Sequence, residues 1–144
     1  MIVFTIGVSD KTAQQFFTQI NKPALVRVID IRPENTVNLG GFSKKNNLPF
    51  LLQEMGQREY VRNLELAPDR NMLDDAKLTP TSFHQYKQQV QTLLSSRKIE
   101  TTIPRELIDG ACLMCNEPRA NHCYRKVLAE YLKDKWGDMI IMHL

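Results

Sequence analysis

The residues best suited to chemistry lie close together near the end of the chain: Cys115, Asn116 and Glu117, followed by Cys123 and Arg125. A cysteine that loses its proton is a nucleophile, and a neighbouring guanidinium favours the thiolate form. Arginine also holds phosphate or carboxylate groups through two parallel N–H bonds, while a glutamate can transfer a proton. This spacing predicts Cys115 as a nucleophile, Glu117 as a proton carrier, and Asn116 and Arg125 as ligand-binding residues. The alternative for Cys115 is a small buried hydrophobic side chain.

A second group of polar residues follows the first two apolar runs of the chain. Asp30 and Arg32 end the run that begins at Leu25, and residues two apart on a strand share one face. A buried carboxylate without a partner is costly. Asp30 therefore either pairs with Arg32 or carries a proton beside a ligand that Arg32 binds. Ser9 follows the first run, where it either caps the next helix or adds a hydroxyl to the ligand site.

The other cysteines predict neither a metal site nor a redox pair. Cys112 and Cys115 lie three apart on a predicted strand, so they face opposite sides about 10 Å apart, beyond the reach of a disulfide. Cys123 falls on the apolar stripe of a helix, and Cys115, His122 and Cys123 lack the paired spacing of a zinc site. We therefore expect no metal and no cofactor. The odd number of cysteines, three, favours reduced thiols.

Alternating strand and helix patterns must position these residues. Short β-rich runs predict strands at 2–6, 25–31, 59–62, 111–115 and 139–142. Apolar residues at helical spacing predict helices at 13–20, near 48–55, from Thr79 and Pro80 to 94, and at 123–136. Ser9 and Asp10 supply the cap of the first helix, and Gly137 ends the last. No clear period is found in the stretches 33–50 and 64–78. The first of these stretches includes a candidate lid.

This alternation predicts a single α/β domain over residues 1–144, a three-layer, Rossmann-like sandwich with a mostly parallel sheet of about five strands. In such sheets ligands bind beyond the carboxyl ends of the strands, where the polar residues named above fall. Arg125 joins them, because it lies three, four and seven residues before apolar residues of its own helix and so faces inward. An inward guanidinium needs an anionic partner, which is Glu117, Asp30 or a ligand.

Composition excludes several classes of protein. The chain has 144 residues, 42% hydrophobic and 24% charged, which suits one globular domain that folds without a disulfide or a metal. Its formal net charge of +3 is far from that of a dedicated nucleic-acid-binding protein. It begins without the features of a signal peptide, and no apolar run approaches the roughly 18 residues of a membrane span. We therefore expect a soluble, cytoplasmic protein with no membrane partner, and the sequence predicts no oligomeric state.

Several motifs together resemble one family of bacterial and archaeal proteins, the domain of unknown function 488. They span nearly the whole chain: Thr5-Ile-Gly-Val-Ser9, Phe16, Ile29-Asp-Ile-Arg32-Pro33, Gly41-Phe-Ser43, Tyr60, Leu66-Ala-Pro68, Phe83, Tyr86, Cys115-Asn-Glu117 and Cys123-Tyr-Arg125. The last two are the most specific, since the family has Cys-x-Glu, five residues, then Cys-His-Arg. Here Tyr124 replaces that histidine, with His122 two residues before it. The resemblance implies an α/β fold, no established reaction, and a shared pocket built from Ser9, Asp30, Arg32, Cys115, Glu117 and Arg125.

Three interpretations of function remain open. The first is a small enzyme, or one that has lost its activity, that acts on an anionic ligand such as a nucleotide or another phosphorylated compound. In it Arg32 and Arg125 hold the anion, Glu117 or Asp30 moves a proton, and Cys115 is the nucleophile. The second is a noncatalytic module that binds nucleic acid or a protein through Lys44, Lys45, Arg58, Arg62 and Arg70. The third is a structural protein in which Arg125 belongs to an ion pair.

Overall fold

Five parallel strands form a sheet in the computed structural model, which describes residues 1–34, 36, 41–69, 72, 80–117, 119–121 and 123–144. The strands are β1 (Ile2–Gly7), β2 (Arg27–Asp30), β3 (Glu59–Arg62), β4 (Ala111–Cys115) and β5 (Ile140–His143). Their order across the sheet is β3-β2-β4-β1-β5, and every neighbouring pair is parallel. The central strand is therefore β4, which ends at Cys115. The predicted α/β class and the five-stranded parallel sheet are confirmed.

Helices cover the sheet on both faces. They are α1 (Ala13–Ile20), α2 (Leu48–Leu51) with a π-helical turn that continues it (Leu52–Gly56), α3 (Pro80–Ser96), α4 (Ile99–Thr102), α5 (Arg105–Ile108) and α6 (Tyr124–Trp136). The predicted positions of α1, α2, α3 and α6 are confirmed. The sequence pattern does not anticipate α4 and α5, because four residues are too few to show a helical period. Within the described ranges, none of these helices is long and apolar enough to span a bilayer.

An apolar core lies on each face of the sheet. Side chains alternate along a strand, so Val3 and Leu113 pack beneath α3 and α6, whereas Phe4 and Met114 pack beneath α1 and the π-helical turn. The chain leaves β4 toward the first of these faces, and it leaves β1 and β2 toward the second. Neighbouring strands whose connections diverge in this way open a crevice at their carboxyl ends, where parallel α/β proteins bind ligands.

The cap of α1 differs from the prediction. The residue that caps the helix is Thr12, whose hydroxyl accepts a hydrogen bond from the Gln15 N–H at 3.1 Å, while the Gln15 side chain accepts one from the Thr12 N–H at 2.9 Å. Two N–H groups at the helix start are satisfied by this reciprocal pair, so Ser9 and Asp10 are not needed as caps. Instead the Ser9 N–H donates to the Asn116 carbonyl at 2.9 Å. Ser9 therefore ties the end of β1 to the end of β4.

The ends of the long helices agree with the sequence analysis. α3 begins at Pro80, where a proline costs no hydrogen bond, and α6 ends at Gly137, whose φ of 86° few other residues adopt easily. The Gly137 N–H donates to the Lys133 carbonyl at 2.8 Å and closes the last turn. Thr79, Arg70 and His122 lie outside the described residues, as do 35 and 37–40 of the predicted lid and most of the irregular stretch 64–78.

Candidate active site

A small cavity lies at the carboxyl ends of β2 and β4, against the start of α6. Its volume is about 80 Å³, room for a few water molecules or one functional group of a ligand. The wall includes Ile31, Pro33, Cys115, Asn116, Glu117 and Tyr124. Three of the predicted site residues, Cys115, Asn116 and Glu117, therefore share one cavity, at the edge of the sheet where the sequence analysis places the site.

Cys115 is the nucleophile that this cavity presents. It is the last residue of β4, only 8% exposed, and its thiol lies on the α6 face of the sheet. The Cys115 Sγ is 2.9 Å from the Arg125 Nη1 and 3.3 Å from the Cys123 Sγ. Cys112 belongs to the core on the other face, as the alternation of a strand requires, so it takes no part in this cluster.

Arg125 is fully buried in the first turn of α6, with the inward orientation that its spacing predicts. Its partners differ from the prediction: in the described part of the chain, neither the Glu117 nor the Asp30 carboxylate pairs with it. Its Nη1 donates to the Glu117 main-chain carbonyl at 2.6 Å as well as to Cys115, and its Nε donates to the Thr5 hydroxyl at 3.3 Å. Within this described set, the groups in direct contact with Arg125 that can ionise to an anion are therefore the thiols of Cys115 and Cys123.

The surroundings favour that thiolate. Burial by itself raises the pKa of Cys115, but the Cys123 thiol, the charge and N–H groups of Arg125 and the Glu117 backbone together outweigh burial and hold the pKa below its ordinary value of 9.0. The pKa of Cys123 is raised in turn, first by its hydrogen bond to Cys115 and then by burial. The two sulfurs are therefore unequal: their surroundings favour the thiolate at Cys115 and the thiol at Cys123.

Two further residues of the site escaped the sequence analysis. Lys11, in the connection after β1, has a buried Nζ with no hydrogen-bond partner among the described residues, and burial followed by the charge of Arg125 lowers its pKa. Tyr124 lines the cavity, and its buried hydroxyl likewise has no partner in the part of the chain that the structure describes. Lys11 falls in a turn without periodicity, and Tyr124 stood out only as the residue that replaces the family histidine, so neither was predicted as a site residue.

Cys123 is more than the core residue that its place on the helical stripe predicts. It is buried among the apolar residues of α6, yet it occupies the cap position of that helix and its thiol contacts Cys115. Its side chain makes no capping hydrogen bond. The helical spacing predicted the burial of Cys123 but not its contact with Cys115, because the sequence between the two cysteines has no period from which a contact could be predicted.

Asp30 and Arg32 do not converge on the cavity. They face the α1 side of the sheet, since Asp30 is in register with Met114 and alternates with Ile29. Both are fully buried, and the Arg32 Nε and Nη2 donate to the two Asp30 carboxylate oxygens at 2.9 and 2.8 Å. The pair therefore satisfies itself, the first of the two alternatives that the sequence left open, and Asp30, one of the candidate partners of Arg125, faces away from it.

The Asp30–Arg32 pair anchors the chain around it. The Tyr60 hydroxyl donates to Asp30 at 2.7 Å, and Arg62 lies 3.4 Å from the same carboxylate. On the other side the Arg32 Nη2 donates to the Ser43 carbonyl at 2.6 Å. This buried network joins β2 and β3 to the segment around Ser43, within the stretch 33–50. The structure thus gives Asp30 and Arg32 contacts that hold the fold.

The basic residues proposed for nucleic acid are largely engaged with the protein. Lys45 and Arg62 contact the Glu34 carboxylate, each at 3.2 Å, and Arg58 donates to main-chain carbonyls. Lys44 is exposed, and Arg70 lies outside the described residues. As for metals, the described residues contain no cluster of three or more histidine, cysteine and acidic side chains that suits an ion.

Comparison with known proteins gives one match. The sequence profile of a family described as a domain of unknown function, DUF488, matches residues 12–132. That range contains the whole segment from Cys115 to Arg125, so the resemblance drawn from these motifs is confirmed. No curated protein and no solved structure matches the chain. The function must therefore be argued from the site itself.

Proposed function

We propose that this chain, which belongs to the DUF488 family, is a small enzyme whose Cys115 attacks an electrophilic centre of an anionic ligand. Nucleotides and other phosphorylated compounds are the preferred class. The observation that carries the proposal is the 2.9 Å contact between the Arg125 Nη1 and the Cys115 Sγ at the wall of the cavity. A buried guanidinium beside a thiol favours the thiolate, which is the nucleophilic form of cysteine. The end of a central parallel strand is also where such sheets bind ligands.

The anionic character of the ligand rests on the charges around the thiol. Lys11 and Arg125 both interact electrostatically with Cys115, and a Cys115 thiolate would balance only one of these two positive charges. The first turn of α6 adds the positive end of the helix dipole. An anion in the crevice would neutralise this surplus, and the unpartnered Lys11 Nζ is a donor for it. In this scheme Lys11 takes the place that the sequence analysis gave to Arg32.

The remaining cavity residues have roles that follow from their chemistry. Cys115 Sγ forms a bond to the electrophilic atom of the ligand as the bond to the leaving group breaks. Water then attacks this intermediate, and Glu117, which lines the cavity, takes the proton of that water and restores the thiolate. Asn116 and Tyr124 also line the cavity, and in this proposal their amide and hydroxyl groups hold the ligand by hydrogen bonds.

The test combines binding with turnover. Wild type, Lys11→Met and Cys115→Ser are compared by thermal shift against nucleotides, sugar phosphates, inorganic phosphate and short oligonucleotides, each at two salt concentrations. A ligand at 100 times its Kd adds about 2.7 kcal/mol of stability to a native state that binds it. We expect a small phosphorylated compound to stabilise wild type and Cys115→Ser, with a weaker effect on Lys11→Met.

Turnover of that compound separates the enzyme from a binding module. We expect it to be lost in Cys115→Ser and kept in Cys112→Ser, the matched control on the opposite face of the sheet. Stabilisation by oligonucleotides alone, lost steeply as salt rises, would instead identify a noncatalytic nucleic-acid-binding module. Equal turnover in Cys115→Ser and wild type would remove Cys115 from the reaction and contradict the proposal.

A further inference from the structure

The contact between two thiols is the feature of the site that the proposed reaction leaves unused. The Cys115 Sγ and the Cys123 Sγ are 3.3 Å apart, closer than two sulfurs in ordinary van der Waals contact. Both cysteines are free and buried, on the same face of the sheet. The Arg125 Nη1 donates to the Cys123 Sγ at 3.3 Å as well as to the Cys115 Sγ at 2.9 Å, so one guanidinium holds both sulfurs.

We propose that Cys115 and Cys123 form a peroxide-sensitive pair that closes to a disulfide and thereby removes the nucleophile of the site. That the closure switches off catalysis rests on the proposed function, whereas the disulfide itself does not. A disulfide needs about 2.05 Å between its sulfurs, so the two atoms have to approach by about 1.2 Å. Because Cys123 lies at the cap position just before α6, outside the hydrogen-bonded turns of the helix, rotation of its side chain can supply this movement.

The chemistry balances with hydrogen peroxide as the oxidant. The Cys115 thiolate attacks one peroxide oxygen, the O–O bond breaks, and hydroxide leaves, which gives a sulfenic acid on Cys115. The Cys123 sulfur then attacks the Cys115 sulfur, the S–O bond breaks, and the departing hydroxide leaves as water with the Cys123 proton. Overall two thiols and one peroxide become one disulfide and two waters, with Cys115 as the attacking and Cys123 as the resolving residue.

The size of the cavity selects the oxidant. Cys115 is 8% exposed and faces a space of about 80 Å³, which favours a small oxidant such as peroxide over a peptide disulfide such as oxidised glutathione. Thiol–disulfide exchange also requires the thiolate to approach the attacked sulfur in line with the bond that breaks, which a bulky disulfide achieves less easily at a buried sulfur. The pair therefore responds to small peroxides and resists glutathionylation.

The same surroundings make the disulfide readily reduced. Closure removes the thiolate that balances Arg125, and it leaves this guanidinium and Lys11 as two cations without an anion in contact. The reduced form is thus favoured by electrostatics, as in dithiols whose thiolate is stabilised by neighbouring positive charge. Cys112, on the other face and without a cation in contact, stays reduced and serves as an internal control.

The experiment needs no substrate. Wild type, Cys112→Ser and Cys123→Ser receive one equivalent of hydrogen peroxide and are then denatured with an alkylating reagent and analysed by mass spectrometry. In wild type we expect one alkylated cysteine of the three, Cys112, and a linked pair of tryptic peptides, since trypsin cuts after Arg119 between the other two. Cys112→Ser should form the same link. Cys123→Ser should stop at a sulfenic acid on Cys115, trapped with dimedone.

Two results would overturn the inference. In the first, peroxide oxidises Cys115 of wild type to a sulfinic acid while Cys123 remains a free thiol that the reagent alkylates. In the second, oxidised glutathione reacts with Cys115 as fast as peroxide does. Both are read on wild type, so they stand even if a variant fails to fold. Because no ligand is present, failure here leaves the proposed reaction untouched. Conversely, a peptide link with no turnover on any phosphorylated compound would separate the redox pair from the enzyme.

Discussion

Replacement of Asp30 by asparagine tests whether the buried Asp30–Arg32 pair holds the fold. Both side chains are fully buried, and the carboxylate accepts hydrogen bonds from the Arg32 Nε and Nη2 and from the Tyr60 hydroxyl. Asn has the same shape but no charge, and its amide places N–H groups against the guanidinium. Loss of one partner from a buried ion pair costs about 3–5 kcal/mol, because the other charge stays buried without compensation.

The assay is urea unfolding followed by circular dichroism, with Glu59→Gln as the matched control. Glu59 pairs with Arg27 at 3.1 Å but its side chain is 60% exposed, so its loss should cost no more than about 1 kcal/mol. For a chain of this size, the loss expected for Asp30→Asn lowers Tm by roughly 6–20 °C. A variant that keeps wild-type stability but loses ligand binding would refute the reasoning, since Asp30 would then act on a ligand rather than on the fold.

Three more outcomes follow from the structure. Thr12→Ala should lower the free energy of unfolding by about 1 kcal/mol, because it removes the cap of α1, while Ser9→Ala should change it by less than about 0.5 kcal/mol; equal losses would contradict the assignment of the cap. Tyr60→Phe should cost about 1.5 kcal/mol in the same unfolding assay, the value for a hydrogen bond to a charged group, and no loss would show that the 2.7 Å bond to Asp30 contributes nothing. The pKa of Cys115 is lowered in the folded protein, so its ion pair stabilises the fold above the ordinary pKa of 9.0 and loses that contribution as pH falls through the folded pKa. The free energy of unfolding of wild type minus that of Cys115→Ser should therefore rise with pH in this window. A difference that stays flat or falls would contradict a lowered pKa for Cys115.

Much of the architecture was predictable from local patterns. The strand that ends at Cys115 is a short apolar run, and Arg125 sits at helical spacing from the apolar residues that follow it. Both signals are local, so the end of β4 and the inward face of α6 could be placed side by side. The face of the sheet toward which each β2 residue points was harder to predict. Asp30 and Cys115 both lie at strand ends, but only the observed pairing with Met114 shows that Asp30 faces the opposite side of the sheet.

The partners of Arg125 were beyond the reach of the sequence. A buried guanidinium predicts an anion, and carboxylates are the usual choice, yet here it binds the Cys115 thiol and a main-chain carbonyl of Glu117. Whether Glu117 turns its carboxylate or its carbonyl toward the arginine cannot be predicted from the sequence around it, because that sequence has no period. The same holds for Lys11, whose position near the thiols depends on the turn after β1.

The most direct test of the central claim is the rate at which Cys115 is alkylated by iodoacetamide as a function of pH, read by peptide mass spectrometry. Arg125 and Cys123 hold its pKa below 9.0, so we predict a midpoint below that value. Cys112 provides the control within the same molecule, because burial raises its pKa and should leave it unreactive over this range. A Cys115 that reacts only above pH 9, or no sooner than Cys112, would contradict an activated thiolate at this site.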